Sequence, residues 1–376
     1  MLVTDVETYV VNVPLRNPFA SSFETKTGNT RTFVRLRTDD GLEGWGETMH
    51  GRPVAALVRR MAPEVLGHSP FELESLHRRT HMVPFFHGYL GYAAIAALDV
   101  ACWDLIGKAT DRSLVDLLGG RFRDTVPITA LITRADGGDA TPAQLPEAIA
   151  RYAAQVVGAG GFSAVKLKGT GDIRGDVRIL RALREALPGT ALRVDPNAAW
   201  SVQDTVSAAA AIESLDLEYL EDPCEGIEGM AAVRQRVRVP LCTNMCLVRF
   251  EDFAPAVRAG AVDIIHGDVF KWGGIAATKA LATHCETFSL GMNMHSGGEL
   301  GLSTAAHLAV VGSTPILDRA IDSMYYLHSD DIIDTPLPVD GGSIPVPDGP
   351  GLGVTVDTDK LAHYVELNER EGDIGL

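Results

Sequence analysis

Seven polar side chains recur along this chain at the spacing of one strand, one helix and two loops. They are Lys168, Asp195, Glu221, Asn244, Asp268, His295 and Asp322, separated by 27, 26, 23, 24, 27 and 27 residues. Each lies near the C-terminal end of a short apolar run: SAVKLKG, ALRVDPN, LEYLEDP, PLCTN, VDIIHGD, SLGMNMHS and ILDRAID. VPITALIT, just upstream, brings the strand candidates to eight, with helical stretches between them such as the alanine-rich Pro142 to Val157. Alternation of this kind builds a parallel sheet of βα units. So even a rhythm suggests a barrel, whose strand ends share one rim where chemistry is done.

Upstream the texture differs. Val3 to Pro14 and Arg31 to Thr38 read as strands, followed by a DDG turn at Asp39 to Gly41 and the short GWGET segment. From Pro53 to about Gly119 the apolar positions fall at three and four spacing, as in YAAIAALDVACWDLIGKA, up to a Gly119-Gly120 stop. Strands followed by helices read as a separate α+β domain. The proline- and glycine-rich stretch from about Pro336 reads as a return onto it. At 376 residues the chain exceeds one average domain. The expected organisation is an α+β capping domain over residues 1–125, completed by about 340–376, and a barrel over 126–339.

Charge narrows the partners. Lysine and arginine number 33 against 49 acidic residues, a net charge of −16, scattered rather than gathered into a tail. Nucleic acid is a poor match for that surface. Handling an acidic substrate would require positive charge concentrated at one place. The cysteines are five, an odd number, with no CxxC pair, which points to a reducing cytoplasm. The N-terminus alternates like a strand rather than showing a basic region and an apolar run, and no membrane span is expected.

The rim residues suggest a chemistry. Asp195, Glu221 and Asn244 offer hard oxygen donors without cysteine or histidine, a set that favours Mg2+ over zinc. Asp222 and Asn197 compete for the same roles on residue type alone. Lys166 and Lys168 are two apart on a strand, so both point to one face. Their mutual repulsion and burial should lower the pKa of each, and a neutral lysine can accept a proton. Asp268, one unit before His295, would fix the imidazole tautomer and stabilise its protonated form. His266 could share that face. Such a set suits removal of a proton α to a carboxylate, with a cation and Lys166 stabilising the enediolate while Lys168 or His295 takes the proton.

K-x-K at Lys166 and Lys168, DPN at Asp195, EDP at Glu221, Asn244, Asp268 and HS at His295 resemble the mandelate racemase branch of the enolase superfamily. EDPC at Glu221 to Cys224, TNM at Thr243 to Met245 and AID at Ala320 to Asp322 are most similar to its glucarate dehydratase subgroup. The resemblance implies a modified TIM barrel, (β/α)7β, with an N-terminal α+β capping domain. It further implies Mg2+ on Asp195, Glu221 and Asn244, Lys168 and His295 on opposite faces of the substrate carbon, and substrate contacts from Lys166, Asn197 and Ser296. Gly297 stands where the family pattern has asparagine after His-Ser. The capping loop around Asn17 to Asn29 and the Pro84 to Tyr92 segment are expected to set specificity. The implied activity is dehydration of an acid sugar, an aldarate or aldonate, to a 2-keto-3-deoxy acid. Racemisation, epimerisation or cycloisomerisation on the same scaffold is the alternative, and a non-catalytic barrel the remote one. A small-molecule carboxylate is the expected partner, with neither nucleic acid nor membrane, and the expected assembly is a homo-oligomer.

Overall fold

A computed structural model describes residues 1–375. The chain opens with three antiparallel strands, β1 (Val3–Ala20), β2 (Thr25–Thr38) and β3 (Glu43–Met49). The turn between β2 and β3 works because Gly41 takes φ 86°, a left-handed conformation that costs glycine nothing. Five helices follow: α1 (Arg52–Met61), α2 (Leu73–Thr80), α3 (Val83–His87), α4 (Tyr89–Thr110) and α5 (Leu114–Leu117). Against expectation, α4 is long and apolar enough to cross a membrane, but most of it is buried as a core helix. Gly46 lets β3 lie directly on it, since a Cβ there would stand 2.1 Å from Ala97 O.

Residues 17–29, expected as a loop, form the far end of the β1–β2 hairpin. Pairing slips between Pro14, which faces Gly28, and Phe19, which faces Lys26. The extra residues on β1 bend the ribbon, as a bulge does. The bend brings the hairpin tip to the barrel mouth, where Ser22 Oγ donates to Pro196 O at 2.9 Å.

After β4 (Thr125–Pro127) come seven strands in one parallel sheet, neighbours in sequence being neighbours in space. They are β5 (Ala130–Ile132), β6 (Ala164–Lys168), β7 (Ala191–Asp195), β8 (Tyr219–Glu221), β9 (Leu241–Thr243), β10 (Ile264–Gly267) and β11 (Gly291–Met294). Helices α6 (Leu145–Gly160), α7 (Ile173–Ala186), α8 (Val202–Glu213), α9 (Gly226–Arg234), α10 (Phe250–Ala259) and α11 (Ile275–Thr287) connect them, and α12 (Gly301–Gly312) follows β11. VPITALIT is therefore split between β4 and β5. The expected eighth strand, ILDRAID, is reduced to one bridging residue. Ile321 N donates to Pro127 O and its carbonyl accepts from Thr129 N, both at 2.8 Å, while Asp322 N donates to Met294 O at 3.1 Å. Those few bonds close the ring, because this segment only has to join two existing edges.

Register explains the polar rhythm. Lys168 pairs with Asp195, Arg193 with Tyr219 and Gly267 with Met294, offsets of 27, 26 and 27 residues. These equal three of the polar spacings, so Asp195 stands beside Lys168 on one side and level with Glu221 on the other, whereas Asn244 lies two residues past Cys242, the partner of Glu221. His295 likewise stands level with Asp268.

The chain then returns to the cap. β12 (Ser343–Pro345) pairs with β4. α13 (Thr358–Glu371) packs on β1, with Asn368 Nδ2 donating to Asn12 Oδ1 at 2.9 Å and Asn12 Nδ2 to Gly372 O at 2.7 Å. One apolar cluster runs from Val11, Phe33 and Leu98 in the cap to Val165, Val194 and Ile265 in the barrel.

Candidate active site

The strand ends converge on a cavity of about 220 Å³. Lys168, Asn197, Asn244, His295, Ser296 and Asp322 line it from the barrel side, and the hairpin tip supplies Phe19, Phe23, Glu24 and Lys26 from above. Tyr89, from the Pro84 to Tyr92 segment, also reaches it. Phe85 and Phe86 of that segment point to solvent instead.

Two fully buried carboxylates stand behind this lining. Asp195 Oδ2 accepts from Lys168 Nζ at 2.5 Å and Asn197 Nδ2 at 3.1 Å, and its Oδ1 accepts from Asn197 N at 2.9 Å. Glu221 Oε1 accepts from Asn244 Nδ2 at 2.5 Å and lies 3.0 Å from His266 Nδ1. Burial would push the Glu221 carboxyl up, but His266 and Lys166 hold it well below the usual range.

Lys166 departs from two expectations. It is fully buried beneath the cavity rather than in its lining, in close ion pairs with Glu221 and Asp322 and 3.9 Å from Asp195 Oδ2. Burial alone would lower its pKa as expected, but Asp322 and Glu221 raise it well above the ordinary lysine value. Three carboxylates outweigh one neighbouring ammonium, so Lys166 is a fixed positive charge.

The Asp268 and His295 dyad forms as expected: His295 Nδ1 donates to Asp268 Oδ2 at 2.9 Å. Burial pushes the Asp268 carboxyl up, yet Lys271 and His295 bring it below its usual range. The imidazole is not stabilised as a cation, however. Burial and the nearby Lys271 charge outweigh Asp268 and lower it to about 3. His295 is neutral, with Nε2 available as a proton acceptor.

The competitors separate cleanly. Asp222 faces away from the cavity: Oδ1 accepts from the Thr243 hydroxyl at 2.5 Å, and Oδ2 from Asn244 N at 2.7 Å and Met245 N at 3.1 Å. Asn197 lines the cavity, and its carbonyl oxygen is buried without a partner among the described residues. Ser296 lines it too, but its hydroxyl donates to Glu299 at 2.7 Å and accepts from Met324 N at 2.8 Å.

Two lysines escaped the sequence reading. Lys271, on the loop after β10, donates to Asn244 O at 2.9 Å and Asn244 Oδ1 at 3.0 Å and lies 3.4 Å from Asp268. Its signal was a cation inside the apolar VFKWGG, three residues past a site aspartate. Lys26 lay in a segment read as an undifferentiated loop.

The donor set fits a hard divalent cation. Asp195 and Glu221 are buried carboxylates around one ammonium, and Asn244 is already hydrogen-bonded to Glu221. Asn244 turns Nδ2 rather than Oδ1 toward Glu221, so its carboxamide must rotate to supply a third oxygen. A softer set, Glu221, Cys242 and His266, also clusters within 4.8 Å in the barrel interior. Its thiol is pushed far up by burial and stays protonated, and His266 Nε2 is hydrogen-bonded to Tyr219 OH at 3.1 Å, so it reads as interior packing.

Sequence and structure comparisons bear on the same residues. Residues 3–119 match the mandelate racemase / muconate lactonizing enzyme N-terminal domain, and 148–360 the enolase C-terminal domain-like family. A Streptomyces coelicolor protein described as a probable glucarate dehydratase is 35% identical over 361 residues, 88% of this chain and 84% of that one. The crystal structure of an isomerase from Streptomyces coelicolor A3(2) superposes with TM-score 0.95 at 72% identity, covering 99% of each chain. An enolase from Thermobispora bispora, crystallised with magnesium and formate, superposes with TM-score 0.90 at 34% identity, covering 99% of this chain and 94% of that one. With both halves matched and its α/β barrel and cap in place, the chain belongs to the enolase superfamily, in its mandelate racemase branch.

Proposed function

We propose that the protein removes the proton α to the carboxylate of a small hydroxy acid, and that the resulting enediolate expels the β-hydroxyl, a dehydration of an acid sugar to a 2-keto-3-deoxy acid. The observation that carries this is the placement of two basic side chains, Lys168 and His295, on one small cavity above paired carboxylates.

Asp195, Glu221 and Asn244 would hold Mg2+. That ion would stabilise the negative charge that develops on the substrate carboxylate as the α-proton leaves. Neutral His295 accepts the proton at Nε2, while its Nδ1–H stays on Asp268, which fixes the ring and offsets part of the cost that burial and Lys271 place on the imidazolium then formed. The imidazolium returns that proton to the departing β-hydroxyl, which leaves as water. Lys168 serves substrates whose α-proton lies on its side. Before it can act, its ammonium must give up a proton and its 2.5 Å contact with Asp195. Lys166 holds Glu221 and Asp195 in place from beneath. The neighbours crystallised with magnesium, such as the Thermobispora enolase, support the choice of cation.

A second reading is proton removal on one face and return on the other. The pair of bases and the likeness to the Streptomyces isomerase favour it.

Incubating the enzyme with Mg2+ and a panel of acid sugars in D2O separates the two. Semicarbazide-reactive 2-keto product indicates dehydration, whereas α-deuterium in an acid that keeps all its hydroxyls indicates isomerisation. If no acid gains deuterium or yields product, both readings fall.

A further inference from the structure

Three lysines line the cavity, and two are engaged. Lys168 is held by Asp195 at 2.5 Å, and Lys271 by Asn244 at 2.9 and 3.0 Å with Asp268 at 3.4 Å. Lys26 is different. It sits on β2 opposite Phe19, partly buried on the capping side of the cavity, and its ammonium makes no hydrogen bond or ion pair with any other described residue. The lining it shares holds Phe19, Phe23, Met49, Leu131 and Met324 alongside Glu24, a setting in which an ammonium without a hydrogen-bonded partner is costly. Burial pushes its pKa down to about 8, with Glu24 opposing and Lys168 adding to the effect.

A charge held without a partner beside a ligand cavity is a recognition element. We infer that Lys26 receives a second anionic group at the end of the substrate remote from the reacting α-carbon, so that the preferred substrates carry an anion at both ends rather than a neutral hydroxymethyl at one. This rests on the reading above, in which the reacting carboxylate lies at the Asp195, Glu221 and Asn244 end. The two positive regions then stand on opposite walls of the cavity, barrel and cap, and a linear acid with a charge at each end satisfies both. A monocarboxylic sugar would set a neutral hydroxymethyl against the ammonium and leave it uncompensated. The cavity, about 220 Å³, is small even for a ligand site and suits a short chain. The second anion could be a carboxylate or a phosphate.

The test uses the magnesium-loaded enzyme and sets of acids differing only at the far end: glucarate, gluconate and 6-phosphogluconate, and likewise galactarate and galactonate. Dissociation constants come from calorimetry, and α-deuterium incorporation is followed separately. The wild-type enzyme is expected to bind at least one doubly charged member about tenfold or more tightly than its hydroxymethyl counterpart, and the preferred member identifies the anion. Lys26→Met should bring that ratio close to one and leave the monoacid constant within about twofold, while Lys26→Arg should keep the preference. Equal affinity for mono- and doubly charged acids in the wild type, loss of both in equal measure in Lys26→Met, or no binding of any member would overturn the inference. The proposed function fails by a separate signal: a Lys26-dependent preference with no α-deuterium in any acid leaves the inference standing and removes the chemistry. Deuterium exchange without a charge preference does the reverse.

Discussion

Asp222 follows Glu221 directly and carries a similar carboxylate, yet it serves the strand behind it. Its φ of 35° turns the side chain toward β9, where it accepts from the backbone N–H groups of Asn244 and Met245 and from the Thr243 hydroxyl. Burial, together with the Glu221 and Asp195 charges, pushes its pKa up to about 7. Asp222→Ala would leave two buried donors unpaired and free Asn244 to drift, so magnesium affinity should fall about tenfold to a hundredfold. A metal titration by calorimetry without substrate checks this, and unchanged affinity would show that Asn244 is held by other means. Alternation along a strand sends adjacent Glu221 and Asp222 to opposite faces, but it does not say which of the two faces the cavity. Lys166 and Lys168 show the same limit. Strand periodicity places both on the inner face, and it does so correctly. It cannot show that Asp322, 156 residues later, meets Lys166 inside the barrel and reverses its expected pKa shift. The Asp268 and His295 pair was legible because both lie at one level on adjacent parallel strands, where spacing and register coincide.

Between elements, the cap and barrel are joined by side chains of one acting as caps for helices of the other. Glu47 on β3 is fully buried, accepts from Leu300 N and Ser303 N at 2.8 Å each, and pairs with Arg31 at 2.8 Å. The first turn of α12 has no capping side chain of its own, so its free N–H groups find their anion in the other domain. Asp99 on α4 does the same for α11, accepting from Ile275 N at 2.6 Å. Glu47→Ala would strand the Arg31 guanidinium in an apolar interior and should cost about 3–5 kcal/mol. Urea unfolding measures this, and a loss below about 1 kcal/mol would mean that water replaces the carboxylate. Helix and strand patterns predicted α4 and most of the barrel. They placed the eighth, closing segment ILDRAID but could not show that it makes a single bridge, nor reveal the hairpin bend, which depends on a register slip at residues 15–18.

Taken as a whole, the molecule buries groups that hold protons and groups that refuse them. His295, His307 and His328 are kept neutral by burial, with pKa lowered to about 3, 4 and 3. Asp222, Asp136 and Asp331 are pushed by burial up to about 7, 6 and 6. Below pH 6.5 the unfolded chain protonates its histidines while the folded one does not, so each such histidine costs stability as pH falls toward its folded value. The carboxyls act the other way, since the folded state takes up protons there before the unfolded one. The two sets oppose each other between about pH 4 and 6.5. Removing one member shows the balance. His307 accepts from Val269 N at 3.3 Å, and His307→Gln replaces it with a side chain that does not titrate. Relative to its own value at pH 7.5, the variant should gain up to about 3 kcal/mol on the wild type by pH 4. Denaturant melts across that range test the sign, and parallel curves for the two proteins would refute a neutral buried His307.

The last helix covers the sheet begun by the first strand. Asn12 and Gly372 are 360 residues apart yet hydrogen-bonded, and Thr30 holds Ile374 in the same way. On the ribosome, at roughly 5–20 residues per second, β1 must wait about 20–70 s for the segment that covers it. During that interval the face of β1 that α13 covers is bare, so this contact waits on translation however fast the barrel forms.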